Sequence, residues 1–322
     1  MKSTFIAWTL NSRRSDLLAE HLGASMHHIY CGHRRGAITA PARYVLQARE
    51  TWQTLLDERP DVVFVQNPPI FCALVASAYA QSTKARFVID SHTGAFLSPR
   101  WRWALPLHRS LSRKAVTTIV TNKPLQDLVR SWSANAFVLA FTPGRYPLGT
   151  SYPLSRSFNV AAVTTFDEDE PVDILFAAAR RLKDVTFYLT GDPSRLPPSL
   201  RSQKPANCQL TGYLPFESYI GLLRGANAVL DLTKHDQTLL MGGFEAVSVG
   251  TPLIVSDWPV LREYFSAGTV HVENSVESIC AGILRAQREQ ANLRQGILSL
   301  QKRLEAEWES KIAELKRIVG GP

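Results

Sequence analysis

No stretch of this sequence approaches eighteen consecutive apolar residues, so no segment is expected to cross a bilayer as a helix. The opening residues, MKSTFIAWTLNSRRSD, contain an apolar run too short for a signal peptide and no small-residue cleavage site. Ser3–Leu10 is therefore read as a first β-strand. Cysteine is scarce: Cys31, Cys72, Cys208 and Cys280 are far apart, which argues against a disulfide framework or a paired-cysteine metal site. All four lie in apolar runs, as expected of buried thiols in a reducing cytoplasm. Acidic residues are absent from Ser91 to Gln126.

What is present divides unevenly. The chain of 322 residues predicts about two domains. Residues 1–150 hold 18 Lys and Arg against 8 Asp and Glu, whereas residues 151–322 hold 18 against 20. The excess of +8 therefore belongs to the N-terminal half. A nucleic acid, an anionic membrane surface or a phosphorylated acceptor would answer that field.

Apolar runs alternate with amphipathic segments throughout. Strands are expected at Ser3–Leu10, Ser25–Cys31, Val62–Gln66, Arg86–Ser91 and Ala115–Thr121, with helices at Asp16–Leu22, Arg43–Glu58, Cys72–Tyr79 and Leu125–Trp132. A loop at Gly32–Ala40 carries His33, Arg34 and Arg35. Thr142–Ser157, rich in Pro, Gly and Ser, reads as a linker. The pattern then restarts at Asn159–Thr164. Alternation of this kind predicts an α/β protein of two doubly wound parallel sheets, over residues 1–150 and 151–305. A last helix over 306–322 presents Trp308, Ile312, Leu315 and Val319 on one face.

Chemistry concentrates in Asp231–Asp257, DLTKHDQTLLMGGFEAVSVGTPLIVSD. It reads as strand, loop, helix, strand, with the helix at Phe244–Val249 and Gly250 as its stop. A Gly-Gly pair before a helix is expected to leave backbone N–H groups facing an anion such as a diphosphate. Glu245, in the first turn, suits a ribose diol; alternatively, the glycines serve packing and Glu245 answers the helix dipole. The stretch resembles the nucleotide-sugar motif of retaining, family-4-like glycosyltransferases of the GT-B fold. In that motif a glycine-rich loop lies between two glutamates and E-A-x-x-x-G-x-P follows. FEAVSVGTP matches the second half, and the first glutamate's place falls on Gln237.

The resemblance implies two Rossmann-like domains facing a cleft and a nucleotide-sugar donor in the second. It assigns the donor to Glu245, Gly242, Gly243, Phe244, Met241 and Lys234, with Gln237 at the sugar. TGDP at Thr190–Pro193 resembles the family's strand-end turn, so Gly191 would approach the nucleotide. LTGYLP at Leu210–Pro215 brings Tyr213 to the base. The family's arginine and lysine for the diphosphate fall on Thr165 and Glu170. Asp167-Glu168-Asp169 imitates a metal-binding Asp-x-Asp, but the GT-B resemblance implies transfer without a metal or other cofactor.

In the N-terminal half, DVVFVQNPP at Asp61–Pro69 and VIDSHTGAF at Val88–Phe96 resemble dolichol-linked β-mannosyltransferases. That resemblance assigns Asn67 to the acceptor. Asp90 and His92 sit at the carboxyl end of a strand, where ligands bind in open α/β sheets, and an Asp/His pair there can position an acceptor hydroxyl or take its proton. Arg13 is a further acceptor candidate. Trp101 and Trp103, read as a loop before a helix begun by Pro106, stand among Arg100, Arg102, Arg109 and Arg113. Interfacial tryptophan with flanking arginine suits a lipid-linked acceptor or an anionic membrane; single-stranded nucleic acid and a solvated basic face are the alternatives. The expected activity is sugar transfer to a glycan, lipid-linked or small-molecule hydroxyl, at a cytoplasmic site with peripheral membrane contact and no nucleic acid. A sugar-nucleotide epimerase and a non-catalytic sugar-nucleotide or glycan-binding subunit are the rival readings.

Overall fold

The structure is a computed structural model that describes residues 1–31, 39–141, 144 and 146–320. The chain forms two compact units, residues 1–141 with 308–322, and residues 142–307. His33, Arg34 and Arg35 lie outside the described residues, as does part of the linker region.

The first unit holds six parallel strands, β1 (Ser3–Ala7), β2 (Ser25–His28), β3 (Val62–Asn67), β4 (Arg86–Ser91), β5 (Thr118–Val120) and β6 (Ala136–Val138), in the order β2-β1-β3-β4-β5-β6. These central strands are Val-, Ile- and Phe-rich without alternation because helices cover both faces. On one face Ile6, Val63, Val65 and Ile89 meet the helices Ala40–Glu58 and Ile70–Ser82 through Leu55, Cys72 and Ala76. On the other, Phe5, Phe64 and Val88 meet Leu18 and the end of the last helix. That helix, Gln290–Gly320, buries Trp308, Ile312, Leu315 and Val319 against this first sheet. Trp, Ile, Leu and Val at i, i+4, i+7 and i+11 make the continuous stripe.

The second unit repeats the plan with β7 (Phe158–Ala162), β8 (Val185–Thr190), β9 (Cys208–Gly212), β10 (Ala228–Asp231), β11 (Leu253–Ser256) and β12 (Thr269–Val272). Their order is β12-β11-β10-β7-β8-β9, again all parallel. Strand order reverses between β7 and β10, and in the first unit between β1 and β3. Such reversals open a crevice at the carboxyl ends of the strands, which is where open α/β sheets bind ligands.

Three local expectations are corrected. The 3-10 turn Pro99–Ala104 contains Trp101 and Trp103, which are therefore not on a loop. Cys31 and Cys280 are only half-buried, and the Cys31 thiol donates to Glu50. The helix expected at Phe244 begins at Met241. Glycine is tolerated in its first turn because nothing larger fits. A Cβ on Gly242 would lie 2.5 Å from an Asp231 carboxylate oxygen, and one on Gly243 would lie 2.7 Å from the Phe265 ring.

Candidate active site

In the second unit the crevice between β7 and β10 is lined by the chain's own carboxylates. Asp231, the last residue of β10, is buried and accepts the N–H of Gly243 at 3.0 Å, with Gly242 also donating to it. Phe244 donates to the Leu240 carbonyl within the helix, and its ring packs edge-on to Tyr264 and Phe265. The expected row of bare amides at Gly242, Gly243 and Phe244 is thus corrected: all three are engaged inside the unit. The helix start is thus already occupied, by the Asp231 carboxyl of the same unit.

A second carboxylate behaves alike. Glu170 accepts from the backbone N–H of Thr165 at 2.8 Å and of Phe166 at 2.8 Å, and from the Thr165 hydroxyl. Burial pushes the Glu170 carboxyl up, against the pull of these donors. Burial, then the charges of Glu170 and Glu245, push Asp231 well above the usual carboxylate range despite the Gly243 and Gly242 amides. The crevice therefore favours a neutral Asp231.

Glu245 is half-buried and lies in the second turn of its helix, not the first. Its carboxylate accepts from the Tyr219 hydroxyl. Tyr219 comes from the helix Phe216–Gly225, and burial followed by the Glu245 charge pushes its phenol well up, so it remains a donor. The exposed Lys234 ammonium donates to the Glu168 carbonyl at 2.9 Å. Gln237 is half-buried on the loop before the helix, and Met241, at the helix start, is exposed. Gly191 has φ +90°, and a Cβ there would lie 2.3 Å from the Thr164 carbonyl oxygen, so the close approach of these two segments requires glycine. Tyr213 projects from its turn with 77% of its surface exposed. Asp167 pairs with Arg195, and Asp169 accepts the Thr233 hydroxyl at 3.0 Å. Among the described residues no group of three His, Cys, Asp or Glu is placed to hold a metal.

In the first unit Asp90 is the last residue but one of β4 and is fully buried. Arg14 grips it: Nε lies 3.1 Å from both carboxylate oxygens and Nη2 2.8 Å from Oδ1. Burial alone would raise the Asp90 carboxyl, but the Arg14 guanidinium and His92 hold it well below the usual range. Such a carboxylate does not take up a proton near neutrality, which corrects its assignment as an acid–base group. It orients instead. The His92 ring, 27% exposed, places Nε2 3.2 Å from Asp90 Oδ2. Asn67 is buried too, which corrects its expected contact with acceptor. Its side chain donates to Ser91 Oγ at 3.2 Å, and its carbonyl accepts the His92 N–H at 2.8 Å. His108 completes this cluster 2.9 Å from Ser91 Oγ; burial lowers its pKa to about 4, so its ring is neutral. Arg13 is exposed, and the buried partner of Asp90 is its neighbour. Arg14 and Leu18 share a face four residues apart, a signal that would have singled out Arg14. Tyr219 carried no comparable signal.

Residues 4–144 match the glycosyl transferase 4-like domain, and residues 172–313 match the glycosyl transferase-like domain. No curated protein matches the chain. Among solved structures, sucrose-phosphate synthase from Thermosynechococcus elongatus superposes with TM-score 0.74 at 14% identity, over 98% of this chain and 97% of that one. Anabaena HepE in complex with UDP-glucose gives TM-score 0.73 at 14% identity, over 98% and 99%. A UDP-N-acetylglucosamine 2-epimerase from Listeria monocytogenes gives 0.63 at 13% identity, over 98% of each chain. Among the described residues no helix is long and apolar enough to cross a membrane. With one glycosyltransferase domain in each half and two six-stranded parallel sheets, the chain belongs to the GT-B glycosyltransferases of the family-4-like group.

Proposed function

We propose that this glycosyltransferase draws its sugar from a nucleotide-sugar donor held by the second unit and passes it, with retention of configuration, to a hydroxyl of a glycan, lipid-linked or small-molecule acceptor at the first. The observation that carries this reading is Glu245. A half-buried carboxylate next to the strand-order reversal, steadied by the Tyr219 hydroxyl, suits a neutral diol such as ribose. Because Asp231 takes the Gly242 and Gly243 amides, the diphosphate falls to Lys234 and to the outer end of the helix at Met241. Gln237 touches the sugar. Exposed Tyr213 flanks the base. His92, oriented by Asp90, receives the acceptor proton, while charge on the departing diphosphate is stabilised by the lysine and the helix dipole. No divalent metal or other cofactor takes part, and transfer is expected to persist in excess EDTA. HepE is described in complexes with UDP and with UDP-glucose, which supports UDP-glucose as the first donor to try. Incubation with that donor and an acceptor panel tests the reading: a glycosylated product supports it, and binding without product counts against it.

One observation favours a second reading. Thr165 and Glu170 stand where the family resemblance expects a basic pair, so this crevice neutralises a diphosphate poorly. A subunit that binds sugar nucleotides without transferring them would show donor affinity and no product with any acceptor.

A further inference from the structure

We propose that the first unit docks on anionic phospholipid bilayers through a surface built by the start of the helix Ala40–Glu58, the start of the helix Ile70–Ser82 and the turn Pro99–Ala104. A ladder of rings runs outward from the core. Trp8 stacks on Tyr44 at 6.1 Å between centroids, Tyr44 meets Phe71 at 4.9 Å, Phe71 meets Trp103 at 6.1 Å, and Trp103 meets Trp101 at 6.3 Å. The inner end is buried and the outer end is not: Trp103 is 62% exposed. Leu74, one turn from Phe71, and Val45, next to Tyr44, are exposed as well. An indole fixed by its neighbours at the edge of a core loses little freedom on entering the headgroup layer, where tryptophan partitions well.

The charge around this ladder has one sign. Across residues 40–49, 70–74 and 99–104 there are four Lys and Arg and no Asp or Glu. Arg43 lies over the Tyr44 ring at 5.4 Å and Arg100 over the Trp101 ring at 5.7 Å, so cations and rings present together. The partner must therefore be negative, with an apolar layer beneath its charge. An anionic leaflet has that profile. A second copy of the chain would bring like charges together. A single-stranded nucleic acid would use the rings and cations but gain little from exposed Leu74 and Val45. The inference concerns a surface apart from the donor crevice and does not rest on the transfer reaction.

Vesicle sedimentation of the full chain tests it, with vesicles of phosphatidylcholine alone and of phosphatidylcholine with phosphatidylglycerol. The wild type is expected to pellet with the anionic vesicles, less so as salt rises, and weakly with the neutral ones. Arg100→Gln/Arg102→Gln should weaken partition about thirtyfold, from about 1 kcal/mol for each basic residue near the leaflet. Trp103→Ala should weaken binding that persists at high salt. Both alter exposed or rim positions, and thermal unfolding identical to wild type verifies their fold. Equal pelleting of wild type and both variants, no pelleting, or tighter, steeply salt-dependent retention on a single-stranded oligonucleotide would overturn the proposal.

Discussion

The backbone N–H of Gly243 points at the buried carboxylate of Asp231, 3.0 Å away, so the helix that begins the donor crevice is capped from inside the sheet. The helix dipole favours a charge there, while burial and the carboxylates of Glu170 and Glu245 oppose it and prevail. A carboxyl whose folded pKa is raised adds stability that is complete at acid pH. That stability is lost as pH climbs from the ordinary carboxylate range through the raised folded value. The unfolding free energy of wild type minus that of Asp231→Asn should therefore fall as pH rises. Denaturant unfolding of both proteins across a pH series measures it, and a flat or rising difference would refute the assignment.

Arg14 and Asp90 make the opposite case. The Asp90 carboxyl is held low, so its contribution is present above the ordinary carboxylate range and lost on acidification. Removing the guanidinium leaves a buried charge uncompensated. Arg14→Ala should cost about 3–5 kcal/mol, whereas Arg13→Ala, an exposed change, should stay within about 0.5 kcal/mol. Chemical denaturation at neutral pH distinguishes the two, and equal effects would contradict the pairing.

If His92 receives the acceptor proton, His92→Ala should lower kcat by about 10²–10⁴-fold with little change in donor affinity. Asp90→Asn keeps the shape but loses the charge that orients the ring, and should lower kcat without raising the donor KM. Steady-state kinetics at saturating donor provide the check. A loss confined to donor KM would move His92 out of the chemistry.

The two-sheet architecture was legible because central strands such as Val62–Asn67, Arg86–Ser91 and Leu253–Ser256 are apolar runs and amphipathic segments alternate with them. The stripe at Trp308, Ile312, Leu315 and Val319 likewise announced a buried face. The site was legible as a region and much less so residue by residue. Glu245 was found through the FEAVSVGTP resemblance and His92 by its place just after a strand end. That Gly242 and Gly243 belong inside the helix was hidden, because a glycine pair reads locally as a breaker. Only the approach of Asp231 and Phe265 from other elements explains the missing Cβ atoms. Asn67 was assigned to the acceptor by resemblance, but its partners Ser91 and His108 are 24 and 41 residues away in sequence. The choice between Arg13 and Arg14 depended on helix phase, which shifts with a one-residue change in the helix start.

Glu245 is the carboxylate proposed to receive the donor's diol. Calorimetric titration of UDP-glucose, and of GDP-, ADP- and dTDP-sugars should it fail, into wild type, Tyr219→Phe and Glu245→Gln measures this directly. Hydrogen bonds to a charged acceptor contribute about 1.5–3 kcal/mol, so Glu245→Gln should bind about ten- to hundredfold more weakly, with Tyr219→Phe between it and wild type. Undiminished donor affinity in a correctly folded Glu245→Gln protein, or no affinity of the wild type for any sugar nucleotide, would contradict it.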